Sequence, residues 1–272
     1  MNTQQMMDTA LQLAGLDEMP ADCEVTVPGE NIRKVLMGID MDTAELLLAK
    51  QLGYDCVVSH HPRNTSLYTL DVMDRHIVNL EKLGIPINKS QKALAKTKES
   101  LGYNRHSSNS RRSESAAKLL GMPFVSLHSP ADVITENTVQ AFLDEKLKGN
   151  TRAKVSDVIA VLEEIPEYKN SLRKPVARVG SLDSYAGKVY VQMAGLTNPG
   201  PAVTKLYFEA GVGTLVRMHM PEADAKELKE HGVGNVIVAG HMSSDSVGLN
   251  IIADKWREMG MEVDVISGIV ER

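Results

Sequence analysis

AELLLAKQLGYDCVVSHH, residues 44–61, places an apolar helix, a glycine, a short apolar strand and two histidines in immediate succession. The same order, with a single histidine at the end of the strand, recurs in VTKLYFEAGVGTLVRMH (203–219) and in AKELKEHGVGNVIVAGH (225–241). The glycine of each unit suits the left-handed backbone position that ends a helix. This repetition predicts strands whose carboxyl ends carry histidines, at the edge where open α/β sheets bind their ligands.

Apolar runs elsewhere in the chain extend the pattern. The predicted strands are VLMGI (35–39), CVVS (56–59), FVSLH (124–128), KVYVQMAG (188–195), TLVRMHM (214–220), NVIVAGH (235–241) and MEVDVIS (261–267). Amphipathic helical patterns lie between most of them. Strands that alternate with such helices predict an α/β fold with largely parallel sheets that are covered on both faces.

The alternation of apolar strands and amphipathic helices is interrupted in two places. Residues 86–120 are polar and rich in Lys, Ser and Arg, which predicts a basic helical insert. Residues 149–186 are irregular, and the main domain junction is expected there. We therefore predict a first α/β domain over 1–149 and a second α/β half over 150–272, with the C-terminal GHxxxD segment returning to the functional cleft.

Composition excludes several classes of protein. The chain has 272 residues, a net charge of −5 and two cysteines. Cys23 lies in a polar loop and Cys56 in an apolar strand, which is typical of a reduced cytoplasmic protein. No apolar run approaches the roughly 18 residues that span a bilayer, so no membrane association is expected. The acidic balance and low aromatic content do not favour a nucleic-acid partner.

His60 and His61 form the first candidate metal-binding pair, because neutral imidazole is the commonest metal ligand in proteins. Adjacent strand residues point to opposite faces, so both can reach one site only if the strand ends there. Pro62 predicts that turn, since it cannot continue a central ladder. The alternative is that these histidines only cap their strand.

GHMSSDSVGLN, residues 240–250, contains a second candidate pair. A helix that begins at about Ser243 would carry His241 and Asp245, four residues apart, on one face of its first turn. The two side chains would then form a clamp with one nitrogen and one oxygen. In the alternative, Ser243 or Ser244 is a plain N-cap and Asp245 only favours the helix dipole.

LHSPAD, residues 127–132, again places a histidine four residues before an aspartate. Pro130 predicts a loop here instead of a helical turn, so the side chains of His128 and Asp132 need not share a face. One could bind a metal while the other orients it. In the alternative, Asp132 is the N-cap of a helix that begins at Val133.

Imidazole nitrogen and carboxylate oxygen without thiolate suit Zn, Fe, Mn, Ni or Co. Five or more such ligands exceed the needs of one tetrahedral ion. They suit two divalent metal ions about 3.5 to 4 Å apart, with a carboxylate that bridges them.

The chain resembles the Nif-three-like family, whose members are often described as type 2 GTP cyclohydrolase I. The resemblance rests on GID after a strand (38–40), DCVVSHHP (55–62), a downstream His-x-x-x-Asp and a late GHxxx[DE], and it covers most of the chain. It implies two α/β domains with a dinuclear metal centre in the cleft between them, and a ring-shaped homo-hexamer. Asp245 stands where the family usually has Glu, and the stretch between His61 and Asp132 is longer than usual.

The resemblance also implies a ligand set, with the last acid as the bridge: His60, His61, Asp132, His241 and Asp245. His128 and His219 remain candidates for acid/base catalysis. For His128 the alternative is a hydrogen bond that orients a ligand, and for His219 it is a strand-end histidine satisfied by its neighbours.

Three functional hypotheses follow. The favoured one is a metal-dependent hydrolase that acts on a nucleotide-like or phosphorylated small molecule, with GTP cyclohydrolase-like activity implied by the resemblance. The second is a metal-binding scaffold, metallochaperone or regulatory partner protein without turnover, in which the charged segment Lys89–Ser115 is a docking arm. The third is a structural protein whose histidines bind no metal.

Overall fold

The computed structural model describes residues 1–62, 70–105, 109 and 111–272. The strands of the described residues are β1 (Glu24–Val27), β2 (Lys34–Gly38), β3 (Cys56–Ser59), β4 (Phe124–Ser126), β5 (Val176–Val179), β6 (Lys188–Val191), β7 (Val212–Arg217), β8 (Asn235–Val238) and β9 (Glu262–Ile266). The helices are α1 (Thr3–Ala14), α2 (Thr43–Gln51), α3 (Arg75–Lys82), α4 (Ile87–Arg105), α5 (Arg112–Leu120), α6 (Ser129–Lys146), α7 (Val155–Leu162), α8 (Pro166–Asn170), α9 (Pro201–Glu209), α10 (Glu222–His231) and α11 (His241–Glu258), with a 3₁₀ turn at Asp71–Asp74.

The chain forms two compact units, and neither is continuous in sequence. Unit 1 consists of Met1–Val72, Tyr103–Ile134 and Asp245–Val270. Unit 2 consists of Met73–Gly102, Thr135–Ser244 and Glu271–Arg272. Each unit draws residues from both of the predicted segments, 1–149 and 150–272.

Unit 1 is built on a sheet with the strand order β1-β4-β3-β2-β9. The neighbours from β4 to β9 are parallel, and only β1 pairs antiparallel, at the edge. All four residues of β3 are buried, as expected for a central strand covered on both faces. Leu46 of α2 and Ala117 of α5 pack with Val57 of β3 in one apolar cluster, so these helices cover one face of the sheet.

Unit 2 repeats this design with the strand order β5-β8-β7-β6, in which only the edge strand β5 is antiparallel. Helices α9 and α10 lead into β7 and β8 through Gly211 and Gly232, whose φ values are 85° and 68°. Gly53, between α2 and β3 in unit 1, has a φ of 74°. The left-handed conformation predicted for these three glycines is therefore confirmed.

The predicted α/β fold with mixed, largely parallel sheets is confirmed. Every predicted strand is present, although several end before the apolar run does. The edge strands β1 and β5 were not predicted. The basic insert contains α4 and α5, while its residues 106–108 and 110 lie outside the described residues. Among the described helices, none combines the length and the apolar character needed to cross a bilayer.

Candidate metal centre

The carboxyl ends of three neighbouring parallel strands converge at one edge of the unit 1 sheet. Asp40 follows β2, His60 and His61 follow β3, and His128 follows β4. Backbone pairing continues past the strands, because the His60 N–H donates to the Gly38 carbonyl at 2.9 Å. The loops that carry these side chains therefore start side by side, where α/β sheets commonly build their sites.

His60 is fully buried, and its tautomer follows from its partner. The Nδ1 atom lies 3.1 Å from the Leu127 carbonyl oxygen, which can only accept, so Nδ1 carries the proton. In the neutral ring the lone pair is then on Nε2, which makes no hydrogen bond with any described residue. Nε2 lies 3.4 Å from Oδ1 of Asp132 and 3.5 Å from Oδ1 of Asp245.

His61 is held in a similar way, with its Nδ1 atom 3.1 Å from Oδ1 of Asp40. Its Nε2 atom lies 3.5 Å from Oδ2 of Asp245, and the ring centroids of His60 and His61 are 5.0 Å apart. Strand β3 ends at Ser59, directly before the two histidines, as predicted. The Ser59 hydroxyl donates to the His61 carbonyl at 2.8 Å, and this hydrogen bond closes the turn after the strand. Both adjacent histidines therefore face the same carboxylate.

His128 and Asp132 lie one helical turn apart, because the Asp132 N–H donates to the His128 carbonyl at 3.2 Å. The prediction that Pro130 makes this segment a loop is wrong, since α6 begins at Ser129. A proline is tolerated in the first turn, where its missing N–H would have no helical acceptor. The alternative in which Asp132 is an N-cap is also wrong, because the helix starts before it.

The His128 ring is oriented by Asp22. Its Nδ1 atom lies 2.6 Å from Oδ2 of Asp22, and its Nε2 atom lies 3.8 Å from Oδ2 of Asp132. Asp22 also accepts a hydrogen bond of 2.7 Å from the Ser129 hydroxyl. Sequence reasoning missed Asp22, because it lies in a loop before β1 with no motif around it.

Imidazoles and carboxylates alternate across this edge of unit 1. The two oxygens of Asp132 face His60 and His128, and those of Asp245 face His60 and His61. The donor atoms of the three histidines lie within 4.8 Å of one another, and so do those of His60, Asp132 and Asp245. These groups, all buried except the partly exposed His61, could hold metal ions.

The electrostatics of the site favour a cation. Burial raises the pKa of the Asp132 carboxyl, and the nearby Asp245 carboxylate adds to this, against the attraction of His128 and His60. Burial by itself would lower the pKa of His128, but Asp132 and Asp22 outweigh it and raise that pKa. The carboxylates therefore lie in a dry space where positive charge is needed.

Helix α11 begins at His241, two residues before the predicted start at Ser243, and His241 and Asp245 lie one turn apart on it, as predicted. The alternative in which Ser243 or Ser244 caps this helix is wrong, because both lie inside its first turn. His241 belongs to unit 2 and Asp245 to unit 1. The membership of His241 in the ligand set stays a prediction, as does a site in an interdomain cleft.

Two of the predicted strand-end histidines meet in unit 2. The ring centroids of His219, after β7, and His241, after β8, are 4.5 Å apart. The Nδ2 atom of Asn198 lies 2.8 Å from Nδ1 of His219. His219 thus has an oriented ring, and its part in catalysis stays a prediction.

Comparisons with known proteins point to one family. The crystal structure of a NIF3 superfamily protein from Sphaerobacter thermophilus is 34% identical, with a TM-score of 0.93 and 98% of each chain covered. Reduced HcgD from Methanocaldococcus jannaschii has 15% identity and a TM-score of 0.60, with 97% of each chain covered. A Bacillus cereus protein related to NIF3 has 11% identity and a TM-score of 0.52, with 98% of this chain and 96% of that chain covered. The last two show likeness of fold only. No family model and no curated protein matches the chain.

Proposed function

The chain belongs to the NIF3 superfamily, and on that premise we propose that it is a metal-dependent hydrolase with two divalent metal ions. Its substrate is a nucleotide-like or phosphorylated small molecule, with GTP ring opening as one candidate reaction. One observation carries the proposal. His60 and His61 are each held at Nδ1 by an oxygen, and each turns Nε2 toward the buried carboxylate of Asp245.

The donor atoms fit a metal ion chemically. Nε2 of His60 and Oδ1 of Asp132 are buried and have no hydrogen-bond partner among the described residues. Two desolvated electron-rich atoms at 3.4 Å are unfavourable unless positive charge, from a proton or a bound metal ion, lies between them. An imidazole nitrogen and a carboxylate oxygen are both ligands that Zn and similar ions accept, so this pair would hold such an ion.

The number of charges supports two ions. Four carboxylates belong to the centre or to its anchors: Asp22, Asp40, Asp132 and Asp245. Two divalent ions balance four negative charges. The two oxygens of Asp245 face different histidines, which suits the bridge that a dinuclear centre needs. His241 stays in the proposed ligand set because α11 carries it one turn before Asp245.

When bound, the ions would lower the pKa of a water and polarise the scissile bond. The residues of the chain would hold and orient the reacting groups. Asp245 would hold the ions together with His60 and His61, and the Nδ1 anchors would keep the two imidazoles from rotating. We assign proton transfer to His219, because Asn198 orients its ring through Nδ1 and the ring lies 4.5 Å, between centroids, from that of the proposed ligand His241.

The test combines metal analysis with a substrate screen. The purified protein is assayed for metal content, and the apoprotein is reloaded with Mn, Zn, Fe or Co and offered GTP, phosphoesters and cyclic amides. We expect metal-stimulated turnover that Asp245→Asn abolishes. Asp254→Asn is the matched control, because Asp254 lies on the same helix and pairs with Arg257 at 2.9 Å.

If the protein binds metal but turns over none of these substrates, the proposal that it is a hydrolase is overturned. In that case, preferential transfer of the metal to an acceptor protein would favour the scaffold or chaperone function.

We also propose that the chain forms a homo-hexamer, as the family resemblance implies. Sedimentation equilibrium tests this, and a monomer at micromolar concentration would contradict it.

A further inference from the structure

We propose that His128 is a cation donor of this same centre, and that Asp22 is the positioning residue that holds it there. The inference deepens the proposed function and rests on its metal centre. It replaces the proton-transfer role considered for His128 and adds Asp22, which lies far from the other residues of the site in sequence.

The first argument is the equivalence of the two ends of the site. At one end, the His61 ring has a carboxylate at Nδ1 and faces an oxygen of Asp245 through Nε2. At the other end, the His128 ring has a carboxylate at Nδ1 and faces an oxygen of Asp132 through Nε2. Metal-bound histidines are commonly anchored in this way by a carboxylate on the other nitrogen.

The second argument is that His60 lies next to both ends. The His128 ring centroid is 4.7 Å from that of His60 and 5.9 Å from that of His61. The donor atoms of the three rings fall within one group whose members lie no more than 4.8 Å apart. A small displacement of the His128 ring would therefore bring its nitrogen within reach of an ion held by His60 and Asp132.

The third argument is rigidity. The side chains of Asp22 and His128 are 5% and 10% exposed, whereas those of Asp40 and His61 are 45% and 22% exposed. Oδ2 of Asp22 accepts from both His128 and Ser129, and the Cys23 thiol lies 3.6 Å from Oδ1. A carboxylate with both oxygens engaged cannot rotate, so it fixes the direction of the imidazole.

Burial also argues against a proton carrier. A proton carrier must exchange with water or substrate. His128 has one nitrogen on Asp22 and the other toward Asp132, with little contact with solvent. A fixed and nearly dry imidazole suits a ligand better than a shuttle.

The test uses Co²⁺ as the probe, with affinity from titration calorimetry and coordination from the visible absorption of the bound ion. His128→Asn keeps a donor near the Nδ1 position for Asp22 and removes Nε2. We expect weaker Co²⁺ binding and an altered absorption band, because one nitrogen ligand is lost. Asp22→Asn should weaken binding about 10- to 100-fold with a much smaller change in the band, because the ligand remains but loses its anchor.

The matched control is Asp55→Asn. Asp55 accepts from the Arg33 and Lys34 N–H groups at 2.9 and 2.8 Å, before β3 and at the opposite end of the unit 1 strands. Asp55→Asn changes the net charge by the same amount as Asp22→Asn, and it should leave the Co²⁺ affinity within about twofold of that of the unmodified protein. Urea unfolding of each apoprotein reports whether the fold persists. If Asp22→Asn does not fold, Ser129→Ala removes one hydrogen bond to Asp22 and should weaken Co²⁺ binding severalfold.

The inference is overturned if His128→Asn binds Co²⁺ with unchanged affinity and an unchanged band, or if the folded variant that disturbs Asp22 behaves like the Asp55 control. Neither result depends on turnover. A protein that binds Co²⁺ through His128 and hydrolyses nothing would contradict only the proposed function.

Discussion

Nε2 of His60 lies 3.4 Å from Oδ1 of Asp132, although the two residues follow different strands of the unit 1 sheet. Both atoms are buried without a hydrogen-bond partner among the residues that the structure describes. A close and unbridged contact of this kind between a lone pair and a carboxylate is costly in a dry interior. The relationship makes His60 the most direct point at which to test metal binding.

His60→Asn should abolish high-affinity metal binding while the fold persists. The asparagine amide can replace Nδ1 as the donor to the Leu127 carbonyl, but it has no counterpart of Nε2. We expect the affinity for Zn²⁺ or Co²⁺ to fall at least 100-fold, because a metal ligand is lost. Calorimetric titration of the apoprotein measures it. His231→Asn, in the last turn of α10, should bind as the unmodified protein does, and equal affinity of the two variants would exclude His60 as a ligand.

Asp40→Asn should weaken metal binding less. The asparagine can still accept from Nδ1 of His61, but the charge that makes Nε2 a better ligand is lost. Because the Asp40 side chain is 45% exposed, solvent screens part of that charge, and we expect a loss of about tenfold or less. Competition with a chromophoric chelator gives the affinity. No difference from Asp55→Asn would show that His61 needs no such anchor.

Metal binding should protect unit 1 from local opening. At a free metal concentration of 100 times Kd, the native state gains about 2.7 kcal/mol, provided the unfolded chain does not bind the ion. The protection is expected in β3 and β4, which lead into His60, His61 and His128. Hydrogen exchange with and without Zn²⁺ measures it, with the edge strand β6 of unit 2 as the internal reference. Equal slowing of β3 and β6 would argue against a site in unit 1.

His76 should make unit 2 sensitive to acid. Burial lowers the pKa of His76 to about 4 from an ordinary value of 6.5. Between these two values the unfolded chain binds a proton that folded His76 does not, so stability present above pH 6.5 is lost as the pH falls toward 4. The expected loss between pH 7 and pH 5 is about 2 kcal/mol.

His76→Gln should remove this acid sensitivity, because the glutamine amide can replace Nε2 as the donor to the Leu196 carbonyl without a titrating group. Urea unfolding at pH 7 and pH 5 compares the two proteins, with His231→Gln as the control. The same loss of stability in His76→Gln as in the unmodified protein would rule out His76 as its source.

Gly38→Ala should destabilise unit 1 by about 1 to 3 kcal/mol. A Cβ atom at this position, at the end of β2, would come within 2.4 Å of the Met41 sulfur and 2.9 Å of Ser267 Cβ. Gly102→Ala is the contrasting control, because a Cβ at position 102 has no atom of the described residues within 4 Å. The higher helix propensity of alanine should stabilise α4 by up to about 1 kcal/mol. Urea unfolding measures both, and two effects of the same sign would contradict the steric argument.

The strands that could be predicted are those buried on both faces. Cys56–Ser59 was predicted with its full bounds, because a central parallel strand must be apolar throughout. The edge strands β1 and β5 escaped prediction for the opposite reason. Three of the four residues in each are at least partly exposed, so no apolar run marks them, and their pairing depends on β4 and β8 from distant parts of the chain.

The candidate site divides in the same way. His60, His61, Asp132 and Asp245 could be singled out because local motifs carry them, and the structure brings these four together. The backbone at Pro130 was misjudged, because a proline in a first helical turn and a proline in a loop look alike in sequence. Asp22 could not be found, since its only signal is a hydrogen bond to His128 across a long separation in the chain.

The order of apolar runs, glycines and strand-end histidines by itself determined the α/β class and the largely parallel sheets. It also showed which histidines are candidate metal ligands. These features are encoded locally, through side-chain periodicity and backbone preference. Only the tertiary structure decided which nitrogen of each ring is anchored, which carboxylate oxygen the other nitrogen faces and which distant aspartate holds the ring. Those choices depend on distances of a few ångströms between segments that no local pattern links, and they arise when the strands pair.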